Sequence, residues 1–219
     1  MAGTAQKPEV ELLPVTQEDL PLIAEGHLAA FPTFYAPLEP SFKLPSHEIR
    51  VQRFTHRLFK ILSRPDTLWT KAVLASGPEK GKFVGLAVWH KPGAPVVNPK
   101  RRWIEGAAEE SEEDKQAWEH VDMEAWEKVW TEWDAVRARI MDGKDHWYLC
   151  PVWVVPGYQG LGIGRKLMQQ VLDLCDAREP PTPVYLEASK EGKPLYEKLG
   201  FEVVGTSDYV EMVRWGKRE

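Results

Sequence analysis

The clearest chemistry in the sequence is carried by Gln159, Gly160, Leu161, Gly162, Ile163 and Gly164. They stand between a β-rich run and a helical pattern. Backbone N–H groups at a helix N-terminus point outward without partners, and with the helix dipole they form a place for phosphate. Glycines let the backbone approach that anion with no Cβ in between. Arg165 and Lys166 add positive charge beside it. The same glycines also suit any tight strand-to-helix turn that holds no ligand. A dinucleotide fold wants G-x-G-x-x-G after an early strand, and an acid about 20 residues on. The spacing here is G-x-G-x-G. Glu187 could supply the acid, but only 55 residues follow Gly164. That is too little chain for the remaining strand–helix units, and it ends in a hairpin pattern.

Hydrophobic spacing predicts the elements that must hold this loop. Residues 10–14 read as a strand. Thr16 and Asp19 resemble a capping box, and Leu20, Ile23, Ala24, His27, Leu28 and Phe31 recur at helical steps, predicting a helix over 17–30. Pro32, Pro37 and Pro40 turn 31–45 into an ordered aromatic loop. Ser46 opens a second helix to Leu62, and Pro65 stops it. Residues 67–75 and 82–89 are β-rich runs around Gly77, Pro78 and Gly81, a hairpin signal. A Pro-rich linker follows, then a long helical stretch over about 107–141. A strand over 147–155, a helix over 162–177, a strand over 184–188, a short helix over 192–199 and a hairpin of 201–206 and 209–215 complete the chain. The order is mixed α+β around one sheet.

Set on these elements, Gln159-x-x-Gly162-x-Gly164 resembles the Q/R-x-x-G-x-G/A signature of the GNAT superfamily of N-acetyltransferases. Pro156 and the later run Leu195-Tyr196-Glu197-Lys198-Leu199-Gly200-Phe201 are similar to that family as well. The resemblance covers most of the chain in element order and is strongest over 147–204. It implies a central, mostly antiparallel twisted sheet of six or seven strands flanked by helices. Residues 1–219 then form a single domain, with 91–144 as a helical insertion between the third and fourth strands.

The resemblance also implies chemistry. Members transfer acetyl from acetyl-CoA directly to an amine. The strand 147–155 would splay from the strand 184–188, and pantetheine would lie along the open edge like an added strand. The backbones of Val152 and Val154 match those that contact pantetheine, with the N–H near Val152 polarising the thioester carbonyl. The N–H groups from Gln159 through Gly160, Leu161, Gly162, Ile163 and Gly164 to Arg165 would hold the pyrophosphate of coenzyme A. Bulk at Gly162 or Gly164 should block that site. Tyr196 matches the family tyrosine that protonates the departing thiolate. A phenol ionises near ~10 and a thiol near ~8.5, so a neutral tyrosine can share its proton with a thiolate. The base is less marked. Positions that carry Glu or His in several members fall on Tyr148 and Cys150. His146, Tyr148 and Glu187 are the candidates for a base or a water relay. Ser189 stands where an Asn that contacts coenzyme A is common.

Composition separates this chain from its relatives. It has 219 residues, a formal charge of −5, ten tryptophans and two cysteines. Two cysteines make no disulfide framework. No run approaches the length of a membrane span, the N-terminus lacks the pattern of a targeting peptide, and the histidines show no metal-ligand spacing. The expectation is a cytoplasmic protein, with a nuclear location left open, that binds no metal, nucleic acid or membrane. It would be a monomer or a homodimer, the latter by pairing of 209–215 across two copies. Trp118, Trp126, Trp130 and Trp133 lie on one helical face of the insertion, which should dock on the domain. The span 105–134 holds twelve acids, beginning at Glu105, against Lys115 and Lys128. A solvated helix face is the ordinary outcome. An acidic rim that attracts a cationic amine is the functional one, and it points to a small or polyamine-like acceptor. A peptide acceptor, a non-catalytic coenzyme A-binding regulatory domain and a nicotinamide oxidoreductase are the rival readings.

Overall fold

The structure, a computed structural model, describes residues 8–103, 109–206 and 209–216. Its elements run β1 (Val10–Pro14), α1 (Leu20–Ala30), α2 (Pro32–Tyr35), α3 (His47–Leu62), β2 (Thr67–Leu74), β3 (Phe83–His90), α4 (Glu112–Trp118) and α5 (Met123–Met141). Then follow β4 (Trp147–Val154), α6 (Ile163–Asp176), β5 (Val184–Ala188), α7 (Lys193–Lys198), β6 (Glu202–Thr206) and β7 (Val210–Arg214). None of the described helices is long and apolar enough to cross a membrane. The chain forms two compact units. One contains the chain up to Val15, Leu68–Gly93 and the chain from Asp145. The other contains Thr16–Thr67 and Ala94–Lys144.

The first unit holds a seven-stranded sheet in the order β1-β2-β3-β4-β5-β7-β6. β4 and β5 run parallel, while β1–β2, β3–β4, β5–β7 and β6–β7 are antiparallel. The mostly antiparallel sheet expected from the resemblance is therefore present. α6 buries Leu167, Met168 and Val171 in the same core as Leu149, Leu186, Met212 and Tyr196. Cys150 and Cys175 form no disulfide and are both buried, and burial pushes the Cys175 thiol up to about 12. The expected pairing of 209–215 across a dimer meets an obstacle. β7 lies between β5 and β6 and is bonded on both sides, so the terminal strand at that end is β6.

The second unit is helical. Thr16 and Asp19 form the expected capping box around a 3-10 turn that leads into α1. Ser46 caps α3 by accepting from the Ile49 N–H at 3.4 Å. The loop 31–45 contains α2 and a second 3-10 turn, Ser41–Lys43. The long helix expected over 107–141 is two helices. Ala107 and Ala108, with Glu105, lie outside the described residues. Ser111 and Asp114 cap α4 reciprocally at 3.1 and 2.9 Å. α4 stops at Trp118, and the Asp122 carboxylate caps a new N-terminus by accepting from the Ala125 N–H at 3.1 Å. The apolar period runs across both helices, which hides the break from a periodicity reading.

The tryptophan face expected on one helix is shared between α4, which carries Trp118, and α5, and it packs on this unit's own helices. Trp118, Trp126, Trp130 and Trp133 contact one another in series at 5.1, 5.8 and 5.3 Å. Phe34 sits 5.6 Å from both Trp130 and Trp133, and the Trp126 indole donates to the Lys100 carbonyl at 2.8 Å. Aromatic area of this kind stabilises strongly per residue, and the tilted geometry adds to it.

Glu39 is the electrostatic centre of the helical unit. It accepts from Arg50 at 2.5 Å and Arg57 at 3.1 Å, with His120 at 3.6 Å. The Arg57 guanidinium also lies 4.8 Å from the Phe54 and Trp118 ring centres. Burial alone would raise the Glu39 carboxyl, but His120, Arg57 and Arg50 outweigh it and hold it at about 2. The folded value is below the unfolded one, so the stability it supplies is present above the ordinary carboxylate range and is lost as pH falls toward 2. Glu39→Ala strands a buried guanidinium and is expected to cost about 3–5 kcal/mol in urea unfolding. Glu39→Gln should flatten the acid limb of stability against pH, which equilibrium unfolding between pH 2 and 6 reads directly.

The acidic run is largely engaged inside this unit. Glu110 takes Arg102 in a two-pronged contact at 2.7 Å each. Asp114 takes Lys60 at 2.6 Å and His56 at 2.7 Å, Glu119 takes Arg53, and Glu127 takes Arg101 at 2.9 Å. Asp134 accepts from the Asn98 N–H at 2.9 Å. Burial raises its carboxyl to about 6. The basic face of α3 and the segment 98–102 thus answer Glu110, Asp114, Glu119, Glu127 and Asp134 of the charge that the sequence concentrates in 105–134.

Candidate functional site

The sheet opens at one place. β4 and β5 pair only at Trp147↔Val184, Tyr148↔Tyr185 and Leu149↔Leu186, although β4 continues to Val154. Beyond Leu149, β4 remains bonded to β3, with a register shift between Ala87 and Trp89. Pro151 has no N–H to offer a neighbour. The Val155 N–H donates to the Val84 carbonyl at 3.0 Å, and Gly85↔Val154 and Ala87↔Val152 are pairs of the opposite parity to that bonded one. Antiparallel bonding alternates, so the N–H and C=O groups of Val152 and Val154 point away from β3, into the gap. The Val154 carbonyl accepts from Gln159 Nε2 at 3.1 Å, which agrees with this direction.

The glycine loop lies at the end of the gap. Gly160 and Gly162 have φ of +74° and +88°, values that a residue with a Cβ rarely adopts. A Cβ at either position would meet nothing within 4 Å, so the loop faces open space there. Gly162 is also the N-cap of α6, and no side chain caps that helix. The first intrahelical bond comes from the Lys166 N–H to Gly162 at 3.0 Å. The N–H groups of Ile163, Gly164 and Arg165 therefore have no acceptor within the helix. Gly164 differs in kind. A Cβ there would sit 3.5 Å from Leu195 and 3.7 Å from Val154, so only a larger side chain crowds the site. Leu161 is half-buried and Ile163 is buried against the core. Of the two nearby cations, Lys166 donates to the Val10 carbonyl on β1, and Arg165 is exposed beside the loop. Uncapped N–H groups, open space at two glycines and an unpaired strand edge fit an extended chain that ends in a pyrophosphate.

The remaining residues flank the gap on two faces. Tyr196 on α7 is 7% exposed, packs on Phe201 at 5.8 Å, and belongs to the α6-side core. Its ring fits against Gly192, where a Cβ would approach to 3.0 Å. Burial pushes its phenol well above the ordinary value. Val184, Leu186 and Ala188 face that same core, so Tyr185 and Glu187 point to the opposite face. Tyr148 is buried there between His90 at 5.1 Å and Tyr185 at 5.8 Å. His146 stands 6.3 Å from Tyr185. Glu187 is half-buried, one residue past the last β4–β5 pair. Ser189 accepts from the Gly192 N–H at 3.1 Å and shapes the entry to α7. The structure thus brings Val152, Val154, Gln159 and the glycine loop together, with Glu187 at the mouth of the gap. It places His146 and Tyr148 at the closed end.

Two features were not visible in the sequence. Glu211 is buried directly opposite Glu187 across the β5–β7 register. Tyr158, within the loop, is bonded to Glu79. Both depend on contacts between distant segments and carry no local signal.

Comparison with known proteins bears on the family and the fold. The model of the family described as an acetyltransferase (GNAT) domain matches residues 107–217, half of the chain. An uncharacterized N-acetyltransferase of Schizosaccharomyces pombe is 30% identical over 133 residues, 56% of this chain and 49% of that protein. The chain spans about half the length of that relative, and an uncharacterized Bacillus subtilis N-acetyltransferase, YitH, is 43% identical over 49 residues, 22% of this chain and 16% of that protein. Among solved structures, a Corynebacterium glutamicum protein described as histone acetyltransferase HPA2 and related acetyltransferase superposes with a TM-score of 0.57 at 22% identity, covering 98% of this chain and 99% of that one. The PaiA N-acetyltransferase of Thermoplasma acidophilum, in complex with coenzyme A, gives 0.54 at 13% identity, covering 94% and 99%. The shared fold and the family match lead to one statement: the chain belongs to the GNAT family of acetyltransferases.

Proposed function

We propose that this chain is an acetyl-CoA-dependent N-acetyltransferase that passes acetyl directly to a primary amine. The observation that carries the reading is the parting of β4 and β5 after Leu149, with the Val152 and Val154 backbone on the open edge and the α6 N-terminus beyond it. Acetyl-CoA supplies the activated acyl group as a thioester. The N–H groups from Gln159 to Arg165 bind its pyrophosphate, and the Val154 backbone aligns the pantetheine arm. The Val152 N–H donates to the thioester carbonyl oxygen, where negative charge develops during attack.

Tyr196 is the proton donor. Its burial keeps the phenol neutral across the working range, so it holds a proton for the sulfur as the thiolate leaves. The amine loses its proton on the other face, where Glu187 stands at the mouth of the gap and His146 and Tyr148 lie behind it. Glu187 takes the role of base in this reading, directly or through water. Its position just past the last β4–β5 pair supports that choice over buried Tyr148. Ser189 shapes the α7 entry beside the coenzyme.

The acceptor we propose is a small primary amine. Glu109, Glu113, Glu124 and Glu132 remain as exposed acids of the run 105–134 after its internal ion pairs are formed, and such negative charge draws cationic amines to the protein at long range. The internal pairs weaken the case for a polyamine in particular. Thiol release from acetyl-CoA, measured against amino acids, aminoglycosides, polyamines and peptides, tests both levels. Turnover of small amines is the expected result, and turnover of peptides alone would sink the acceptor assignment. A coenzyme A-binding regulatory domain is the second reading, favoured by buried Tyr148 and Cys150 where several relatives carry a base. It predicts coenzyme A binding with no thiol release for any amine. Binding alone is read from thermal stabilisation, about 2.7 kcal/mol at a hundredfold excess over Kd.

A further inference from the structure

The glycine loop is held from outside by side chains. Tyr158, between Gly157 and Gln159, donates its hydroxyl to Glu79 Oε2 at 2.6 Å. Glu79 lies in the turn between β2 and β3, and its Oε1 receives Lys82 Nζ at 2.5 Å. Lys82 Nζ in turn lies 5.2 Å from the centre of the Tyr158 ring. The three groups close a triangle. Lys82 and Tyr158 hold the Glu79 carboxyl below its usual range, so it accepts as a carboxylate at neutral pH. The Tyr158 ring packs beside the sheet core, which anchors it at its other end.

Such a tether matters in this segment. Gly157, Gly160 and Gly162 all have positive φ, and glycine places few restraints of its own on the chain. The other bonds that shape the loop's start are local, from the Tyr158 N–H to Val155 at 3.0 Å and from Gln159 to Val154 at 3.1 Å. Donors aimed before a ligand arrives bind it more tightly than donors that must be ordered by it.

We propose that the Tyr158–Glu79–Lys82 clasp is a positioning device that presets the glycine loop for the pyrophosphate of coenzyme A without touching the reacting atoms. This rests on the reading of the loop given above. Glu79 and Lys82 are half-exposed, so the clasp adds little to global stability. Its effect is on the loop. The test compares Tyr158→Phe, Glu79→Ala, the double variant and Glu79→Gln, with coenzyme A binding by calorimetry and steady-state turnover of acetyl-CoA and of S-acetylpantetheine, which has no phosphates.

Tyr158→Phe and Glu79→Ala are each expected to raise the coenzyme A Kd and the acetyl-CoA KM about three- to tenfold, with kcat unchanged. The double variant should be no worse than either alone, because both remove one bond. Glu79→Gln keeps an acceptor for the Tyr158 hydroxyl and should recover most of the loss. Turnover of S-acetylpantetheine should not change. Unaltered coenzyme A binding in both single variants, or an equal loss with S-acetylpantetheine, overturns the clasp while leaving the function standing. A wild-type protein that binds no coenzyme A overturns the reading of the loop and the clasp with it.

Discussion

Tyr196→Phe is expected to lower kcat by about 10²–10⁴-fold, the usual contribution of a positioned proton donor, with little change in the KM for acetyl-CoA. The substitution is clean because the ring does the packing. It lies against Phe201 and over Gly192, and Phe preserves both contacts. The Tyr196 hydroxyl has no hydrogen-bond partner among the described residues, so its removal leaves no buried group stranded and the unfolding midpoint should hardly move. The pH profile carries a second signature. Burial raises the phenol, so the acid stays protonated as pH climbs, and no loss of rate from its ionisation should appear below about pH 10. A Phe variant with wild-type kcat would remove Tyr196 from the mechanism.

Gly162 is the second position of large effect. Gly162→Val should abolish measurable coenzyme A binding, a loss of about a hundredfold or more in affinity and in kcat/KM, for two separable reasons. The backbone at φ +88° lies where an L-residue is destabilised by about 1–2 kcal/mol, and a β-branched one suffers most. A side chain there would also enter the open space that faces the α6 N-terminus. Gly162→Asn separates the two, since Asn tolerates this backbone region far better. It should melt near the wild-type temperature yet still bind coenzyme A poorly. An Asn variant that binds normally would show that backbone shape alone, and not the open space, is what the site requires.

The element order was legible because each strand and helix carries its own period and its own stops. Ser46 caps α3 and Gly162 opens α6 where the sequence places them. The break between α4 and α5 was not legible. Asp122 caps a new helix inside an apolar repeat that never changes phase, and a cap is a short-range bond that periodicity does not report. The acidic run misled in a similar way. Its charge is a property of sequence neighbours, but Arg53 and Lys60 answer it from α3, far earlier in the chain, and Arg101 and Arg102 from the segment just before the run.

The site divides along the same line. The candidate anion cradle from Gln159 to Arg165 was legible because its chemistry is backbone chemistry. Glycines at fixed spacing before a helix leave N–H groups exposed whatever surrounds them. Tyr196 stood out as a candidate because its neighbours in sequence mark it. For the base the sequence offered His146, Tyr148 and Glu187 without choosing among them, since the choice depends on how the strands meet. Glu187 gains its place only where β5 parts from β4, and Glu211 and Glu79 gain theirs only through register and loop contact. By itself the sequence determined which backbone segment can hold an anion, through local conformational freedom. The tertiary structure decided which side chains stand beside the gap and which hold the loop, because those positions depend on pairing and contact between residues that are not neighbours in the chain.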